Sequence, residues 1–171
     1  MNGLGGSIDN VGVFLHDLEA SVGTFNARGL LHCKRAIRAI KNKYFYKLLK
    51  KLDVLCLQEM HGDEFMLKAA LPDLHRSHYI ATNPGKGGTC ILVSKRWLQC
   101  SDAMIKHTVI KGAEGRVQRL STLRKGIQWN MWNIHNFELT EDTMTRIQRA
   151  ALANIAATRQ APPQQLLLLC R

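Results

Sequence analysis

The sequence predicts an α/β fold in which a mixed sheet is flanked by helices. Short apolar runs typical of buried strands, such as VGTFN at 22–26 and DVLCLQ at 53–58, alternate with two longer stretches of helical periodicity. The predicted order is β-α-β-α-β-β, then a strand-rich stretch, then α-β, which is neither a regular βαβ array nor an all-β pattern. The 171 residues, 46% of them hydrophobic, suffice for one domain with a sizeable core.

The first half of the chain gives a strand, a helix and a strand. We expect residues 1–21 to be a loose, Gly-rich N-terminal segment, and residues 22–171 to be the domain. The strand at 22–26 ends before the turn signal Arg28-Gly29. A helix is predicted over 34–52, where apolar residues recur three or four positions apart: Ile37, Ile40, Tyr44, Leu48 and Leu52.

A short helix and two strands follow. Acidic residues in the first turn and Pro72 beyond the end predict a helix within 62–73. Strands are predicted at 77–82 and 89–94, joined by the turn NPGKGG at 83–88. This turn lacks the G-x-x-x-x-G-K-[ST] spacing of a phosphate-binding loop, so we interpret it as a turn only.

The second half is rich in strands. Three are predicted at 103–110, 116–123 and 127–134, the last two joined by a hairpin turn at RKG. A helix from Thr140 to about Arg159 is capped by Thr-x-x-Thr and ended by two prolines, and a buried strand follows at 165–171. Trp97, Trp129 and Trp132 could stack on nucleic-acid bases, but strand surroundings favour core positions.

The charge favours a polyanionic partner, most simply nucleic acid, with DNA preferred. Twenty-four Lys and Arg oppose 13 Asp and Glu, a net charge of +11. No acid occurs between Glu19 and Asp53, and the bases there include five candidate phosphate contacts: Arg28, Lys34, Arg35, Arg38 and Lys41. The alternative is a basic but ordinary protein, whose lysine stems cover the apolar surface of a solvated helix.

Cysteine usage and hydropathy bear on the compartment. The five cysteines have no C-x-x-C spacing, which argues against a disulfide framework or a zinc site. No apolar stretch approaches a membrane span, and the N-terminus lacks the blocks of a signal peptide. We therefore expect an intracellular protein, the nucleus included, that is neither secreted nor bound to a membrane. The oligomeric state is left open.

Two strand ends carry oxygen ligands. Asn26 ends the first strand and Glu59 follows the second. If these strands pair in parallel across the intervening helix, an amide and a carboxylate lie side by side at one sheet edge. Mg²⁺ often uses one or two carboxylates and completes its shell with water and phosphate. Alternatively, Asn26 caps a turn and Glu59 is a solvated loop residue.

The ordered motifs resemble the endonuclease/exonuclease/phosphatase superfamily, the DNase I-like proteins. The matching segments are TFNARGL at 24–30, DVLCLQE at 53–59, GGTCILVS at 87–94, GR at 115–116 and WNIHN at 132–136. The family includes apurinic/apyrimidinic endonucleases and the endonuclease domains of non-LTR retrotransposons. The resemblance implies a four-layered α/β sandwich, here in partial form, and a Mg²⁺-dependent hydrolysis of phosphodiesters, with Mn²⁺ as an alternative ion.

The resemblance also implies roles for three residues. Glu59 matches the metal-binding glutamate, and Asn26 matches the asparagine that organises metal and phosphate. His135 lies where family members carry a Tyr or His near the scissile phosphate; alternatively it only ends a strand. His61 is more simply a loop histidine, and no role is expected for His75, His78 or His107.

Two family motifs do not occur in this sequence. The strand LLLL is followed by CR rather than by a G-D-x-N segment, and no S-D-H is present. Loss of the general base alone removes about 10² to 10⁴ in rate, so we expect negligible nuclease activity from these 171 residues. We also expect the second sheet to be missing. A fragment, a gene-model error or a degenerate copy would all read this way.

Three hypotheses remain open. The favoured one is an incomplete Mg²⁺-dependent endonuclease of the retroelement or repair type. The second is a non-catalytic remnant that binds nucleic acid through its basic helix. The third is a phosphatase-like member of the same superfamily, which the strong positive charge disfavours.

Overall fold

The computed structural model describes residues 20–28, 30–31, 35–99, 104–135, 139–158 and 165–170, and for 35–37, 154–158 and 165–170 it describes the backbone alone. Lys34 and nearly all of the predicted loose segment therefore lie outside the described residues.

The first sheet has four strands: β1 (Val22–Asn26), β2 (Val54–Gln58), β3 (His78–Asn83) and β4 (Thr89–Ser94). Their order is β1-β2-β4-β3. β1 and β2 pair in parallel across helix α1 (Arg35–Lys51), as predicted, and the other two pairings are antiparallel. The register places Asn26 opposite Gln58, so both strands end at the same edge.

A second four-stranded sheet is present, so the expectation that it would be missing was wrong. Its strands are β5 (Ile105–Val109), β6 (Val117–Arg124), β7 (Ile127–Ile134) and β8 (Gln165–Cys170), in that order. β6 and β7 form the predicted hairpin, and β8 returns parallel to β7 after helix α5 (Glu141–Thr158). The sequence alone suggested one mixed sheet because strand composition does not show which strands pair.

Three apolar clusters define four layers. Cys56 and Ile91 of the first sheet pack against Trp129 and Met131 of the second. The outer face of the first sheet buries Leu55 under the helices, and the outer face of the second buries Trp132 against α5. Alternation along each strand produces these faces. The layer order is helix, sheet, sheet, helix, which confirms the predicted α/β sandwich.

The buried face of α1 differs from the predicted stripe. Phe45 is fully buried and Leu48 partly so, whereas Ile40 and Tyr44 are about 60% exposed. Apolar residues three or four positions apart occur on two faces of this helix. Which face is buried depends on contact with the sheet, which the spacing does not show. Helices α2 (Glu64–Ala70), α3 (Leu74–Ser77) and α4 (Lys95–Leu98) complete the described elements. The last two escape prediction because a single turn has no periodicity.

Caps and core aromatics agree with the sequence. Thr140 Oγ1 accepts from Thr143 N at 3.2 Å and begins α5. All three tryptophans are at most 4% exposed, and the Trp97 and Trp129 rings meet edge to face at 4.8 Å.

Cys56 and Cys90 are buried in the core as reduced thiols. Cys33 and Cys100 lie outside the described residues, and the side chain of Cys170 is not described. Among the helices of the described ranges, none has the length and hydropathy that a membrane crossing requires.

Candidate active site

Glu59 lies directly after β2, at the edge where the first sheet faces the second. Its backbone is left-handed, with φ at +52°, which costs an L-residue about 1–2 kcal/mol. Its side chain is 26% exposed. Non-glycine residues with such backbones cluster at functional sites. The carboxylate is therefore presented at an open edge by a strained turn.

His135 is the partner of this carboxylate. Its Nε2 lies 3.6 Å from Glu59 Oε1, and its side chain is 15% exposed. The backbone N–H of His135 donates to Arg116 O at 2.8 Å, which holds the end of β7 against the loop before β6. The two residues are 76 positions apart in sequence, and the packing of the two sheets brings them together.

Two amide side chains tie the sheets at this edge. Asn133 is fully buried, and its Nδ2 donates to Leu57 O and to Cys90 O, both at 2.9 Å. Gln58 Nε2 donates to Ile134 O at 3.3 Å. These bonds join β7 to β4 and to β2, the strand that ends just before Glu59, so they position His135 relative to the carboxylate. The sequence signal for Asn133 was a polar residue at an inward position of an apolar strand.

The turn NPGKGG packs on the site. Met60 N donates to Gly88 O at 3.1 Å, and His61 N donates to Gly87 O at 3.0 Å. A Cβ on Gly87 would lie 3.2 Å from His135 Nδ1. The predicted turn therefore has an additional role, since it forms one wall of the Glu59–His135 pair. His61 itself is exposed and has φ at +50°.

A second loop contact supports this wall. Asn83 is buried; its Oδ1 accepts from Gly115 N at 2.8 Å, and its Nδ2 donates to Val117 O at 3.2 Å. A Cβ on Gly115 would lie only 2.6 Å from the backbone of Gly85. Gly115, the glycine of the GR segment at 115–116, therefore allows the two loops to contact each other.

Asn26 lies opposite Gln58, the residue before Glu59, and its side chain caps a turn. It is exposed, and its Oδ1 accepts from Arg28 N at 2.9 Å. Because paired residues of neighbouring strands share a face, Asn26 lies on the same face as Gln58, which reaches toward the second sheet.

The five predicted phosphate contacts are only partly described. Arg28 is exposed at the site edge. Arg38 is half-buried, and Lys41 Nζ lies 5.3 Å from the centre of the Phe25 ring, a cation–π contact that also stabilises the helix on the sheet. Lys34 and the side chain of Arg35 lie outside what is described.

The donor set of this edge fits a hydrated magnesium ion rather than an all-protein cage. Within the described ranges, no group of three or more His, Cys, Asp and Glu side chains could hold a metal ion. Mg²⁺ commonly accepts one or two protein carboxylates and keeps several waters. One partly exposed carboxylate suits that coordination, whereas the imidazole beside it is not a preferred ligand of Mg²⁺.

The chain belongs to the Endonuclease/Exonuclease/phosphatase family, because the sequence profile of that family matches residues 23–170. No curated protein matches the chain by sequence.

Solved structures share the fold. Truncated Caenorhabditis elegans TDP2 superposes with a TM-score of 0.57 at 23% identity, over 86% of this chain and 59% of that one. D. rerio TDP2 complexed with a single-strand DNA product gives 0.52 at 15% identity, over 86% and 58%. The 3′ phosphatase NExo from Neisseria, bound to a product DNA hairpin, gives 0.52 at 15% identity, over 88% and 56%. The chain thus spans less than three-fifths of the length of each.

Proposed function

We propose that this chain is part of a Mg²⁺-dependent phosphodiester hydrolase domain that acts on nucleic acid, of the endonuclease type. The observation that carries the proposal is the Glu59–His135 pair, 3.6 Å apart at an open sheet edge and positioned by a strained backbone. A carboxylate at the end of a buried strand is stabilised by a positive partner, and a divalent metal ion would supply one.

Each residue of the edge has a distinct task in this proposal. Glu59 holds the Mg²⁺, which when bound stabilises charge on the phosphate and on the leaving oxygen. His135 donates a hydrogen bond from an imidazole N–H to a non-bridging phosphate oxygen. Asn26 orders the turn next to Glu59 and offers its amide N–H groups to the same phosphate.

Nucleic acid, with DNA favoured, is the proposed substrate. The net charge of +11 favours a polyanion, and exposed Arg28 extends the cationic surface beside Glu59. Two of the similar structures contain DNA products, TDP2 from D. rerio and NExo from Neisseria. We propose an intracellular location for this activity, the nucleus included.

The polypeptide of these 171 residues is expected to cleave poorly by itself, because it contains neither D-x-N after β8 nor S-D-H. Residues that act as one constellation fail together. A version of the chain extended by segments that carry both motifs should therefore turn over substrate, and Glu59 should be essential in that extended version.

Plasmid nicking in Mg²⁺ tests the proposal. The 171-residue chain and a version extended through segments that carry both motifs are compared, each with Glu59→Gln and with the exposed control Glu141→Gln. We expect nicking only from the extended form, lowered about a hundredfold by Glu59→Gln and unchanged by the control. Cleavage by the short form that Glu59→Gln abolishes would overturn the expected inactivity.

Metal binding can be read without turnover. Mn²⁺ in place of Mg²⁺ broadens the NMR signals of nearby nuclei, so amides around Glu59 and His135 should broaden in the short chain. Glu59→Gln should abolish this effect and Glu141→Gln should preserve it. Equal broadening in wild type and Glu59→Gln would exclude Glu59 as the metal ligand.

A second candidate function, binding of nucleic acid without cleavage, is favoured by α1, whose described residues contain no acid and expose Lys43, Lys47, Lys50 and Lys51. It predicts salt-dependent DNA binding that Glu59→Ala leaves unchanged, together with no nicking by the extended form. A phosphatase-like activity is distinguished by release of phosphate from a 3′-phosphorylated oligonucleotide.

A further inference from the structure

A basic cavity lies at the edge of the first sheet opposite to Glu59. His78 pairs with Ser94 at that edge, whereas Thr89, at the other end of β4, pairs with Gln58. The five residue steps along β4 separate the two edges by about 17 Å. The cavity, of about 580 Å³, is therefore distinct from the candidate active site.

The charges that line the cavity are unbalanced. Four basic side chains and one acidic side chain contribute to its wall. Arg76 pairs with the single acid, Asp73, at 3.1 Å. Lys50, Lys95 and Arg96 have no ion-pair partner among the residues that the structure describes. Cations gathered around a concave surface without counter-charges are typical of anion sites.

A buried imidazole and a hydroxyl add polar groups to the same wall. His78 is 7% exposed, and its Nδ1 lies 2.8 Å from Ser77 Oγ. Its Nε2 is buried without a hydrogen-bond partner within the described part of the chain, and burial lowers the pKa of the imidazole. Ser94, 9% exposed, lines the cavity beside it. A buried polar atom without a partner is costly unless a ligand uses it.

The cavity also has an apolar part. Leu49, the ring of Tyr46 and Leu74, which is 2% exposed, contribute apolar surface to its wall. A bare inorganic anion would leave this surface unused. A ligand with a phosphate group and an apolar or aromatic portion would contact both parts of the wall.

We propose that this cavity is a second ligand site that binds the phosphate group of a nucleotide, with Lys50, Lys95 and Arg96 on the phosphate and Tyr46 and Leu49 against the sugar or base. The nucleotide is either free or the end of a nucleic-acid strand, since both present the same chemistry. The site does not depend on hydrolysis at Glu59.

The test measures binding of adenosine 5′-diphosphate, inorganic pyrophosphate and a short single-stranded oligonucleotide by calorimetry, in EDTA to suppress the Glu59 edge. Lys95→Gln/Arg96→Gln removes two exposed cations of the cavity. Lys106→Gln/Lys125→Gln is the matched control, since both lysines are exposed and neither lines the cavity.

We expect the dissociation constant for the nucleotide to rise about tenfold or more in the cavity variant and to stay within about twofold in the control. The imidazole ¹⁵N signals of His78 should shift on binding. An equal loss in both variants, or no binding to wild type, would overturn the site. Pyrophosphate that binds as tightly as the nucleotide would overturn the role of the apolar wall. Displacement of the nucleotide by the oligonucleotide identifies a strand end as the source, and no displacement identifies the free nucleotide.

Discussion

Glu59 has two features that each lower the stability of the folded state. Its carboxylate follows a strand whose residues 54–57 are all buried, and its backbone is left-handed. Glycine adopts this conformation without a Cβ penalty and would stabilise the turn. The proposed role of the carboxylate in holding a metal ion would account for a glutamate at this position.

This strain predicts that a Gly variant is more stable than an Ala variant, which is the reverse of the usual order. At Glu59, the Gly variant should be more stable than the Ala variant by about 0.5–1 kcal/mol, because the relief of left-handed strain exceeds the extra chain entropy of glycine. Lys125, with φ at +49° in the β6–β7 turn, should behave alike. Exposed Lys106 in β5 should show the usual order, with Ala above Gly. Urea unfolding measures all six variants, and the usual order at Glu59 would contradict the strained geometry.

At the residue scale, the sequence predicted which residues are candidates for the site better than it predicted which of them are in contact. Glu59 and Asn26 followed from strand ends, and the register of β1 and β2 pairs Asn26 with Gln58, the residue before Glu59. The metal-binding role of both residues stays a prediction. The capping bond of Asn26 to Arg28 N agrees with the local alternative for that residue. The proximity of His135 to Glu59 was not visible, because it depends on how two sheets pack.

The element that positions His135 is the turn between β3 and β4. Three of its glycines, Gly85, Gly87 and Gly88, have positive φ, and Gly87 lies against the imidazole. The sequence predicted a turn from its composition, but composition does not indicate which surface the turn covers. Its two hydrogen bonds to Met60 and His61 link it to the residues that follow Glu59.

Gly87→Ala should therefore displace His135 as well as destabilise the turn. The new Cβ adopts an unfavourable φ of +85° and lies 3.2 Å from His135 Nδ1. Gly126→Ala is the matched control, because Gly126 has φ at +74° and nothing within 4 Å. Both should lose about 1–2 kcal/mol in urea unfolding, but only Gly87→Ala should shift the imidazole signals of His135. Unchanged His135 signals in Gly87→Ala would contradict the proposed wall.

At the scale of the whole molecule, the two sheets share an apolar core and a set of polar contacts at the site edge. We call these contacts, the inter-sheet hydrogen bonds of Asn133 and Gln58, the polar seam. The inward residues of β7 begin as Trp129 and Met131 and end as Asn133, so the contact between the sheets changes from apolar to polar at the site edge. Strand periodicity predicted the positions of β7 and its neighbours correctly. The strands were expected to form one mixed sheet, whereas they form two. Pairing partners depend on tertiary contacts that a period of two does not encode.

Asn133 should be the side chain on which the seam most depends. Asn133→Ala leaves Leu57 O and Cys90 O without their inter-sheet donor and should cost about 2–4 kcal/mol in unfolding free energy. Asn130→Ala is the control, since Asn130 is equally buried in β7 but accepts from Ser121 Oγ within its own sheet; we expect about 1–2 kcal/mol. Urea unfolding gives both values.

The decisive difference between these two variants lies at the site rather than in the total stability. Because His135 follows Asn133 by two residues, release of β7 from β2 and β4 should separate His135 from Glu59. Mn²⁺ should no longer broaden the His135 signal in Asn133→Ala, whereas Asn130→Ala should keep this broadening. If Asn133→Ala loses stability but keeps the Mn²⁺ broadening of His135, the two sheets are held in place by their apolar core alone, and the polar seam has no part in assembling the site.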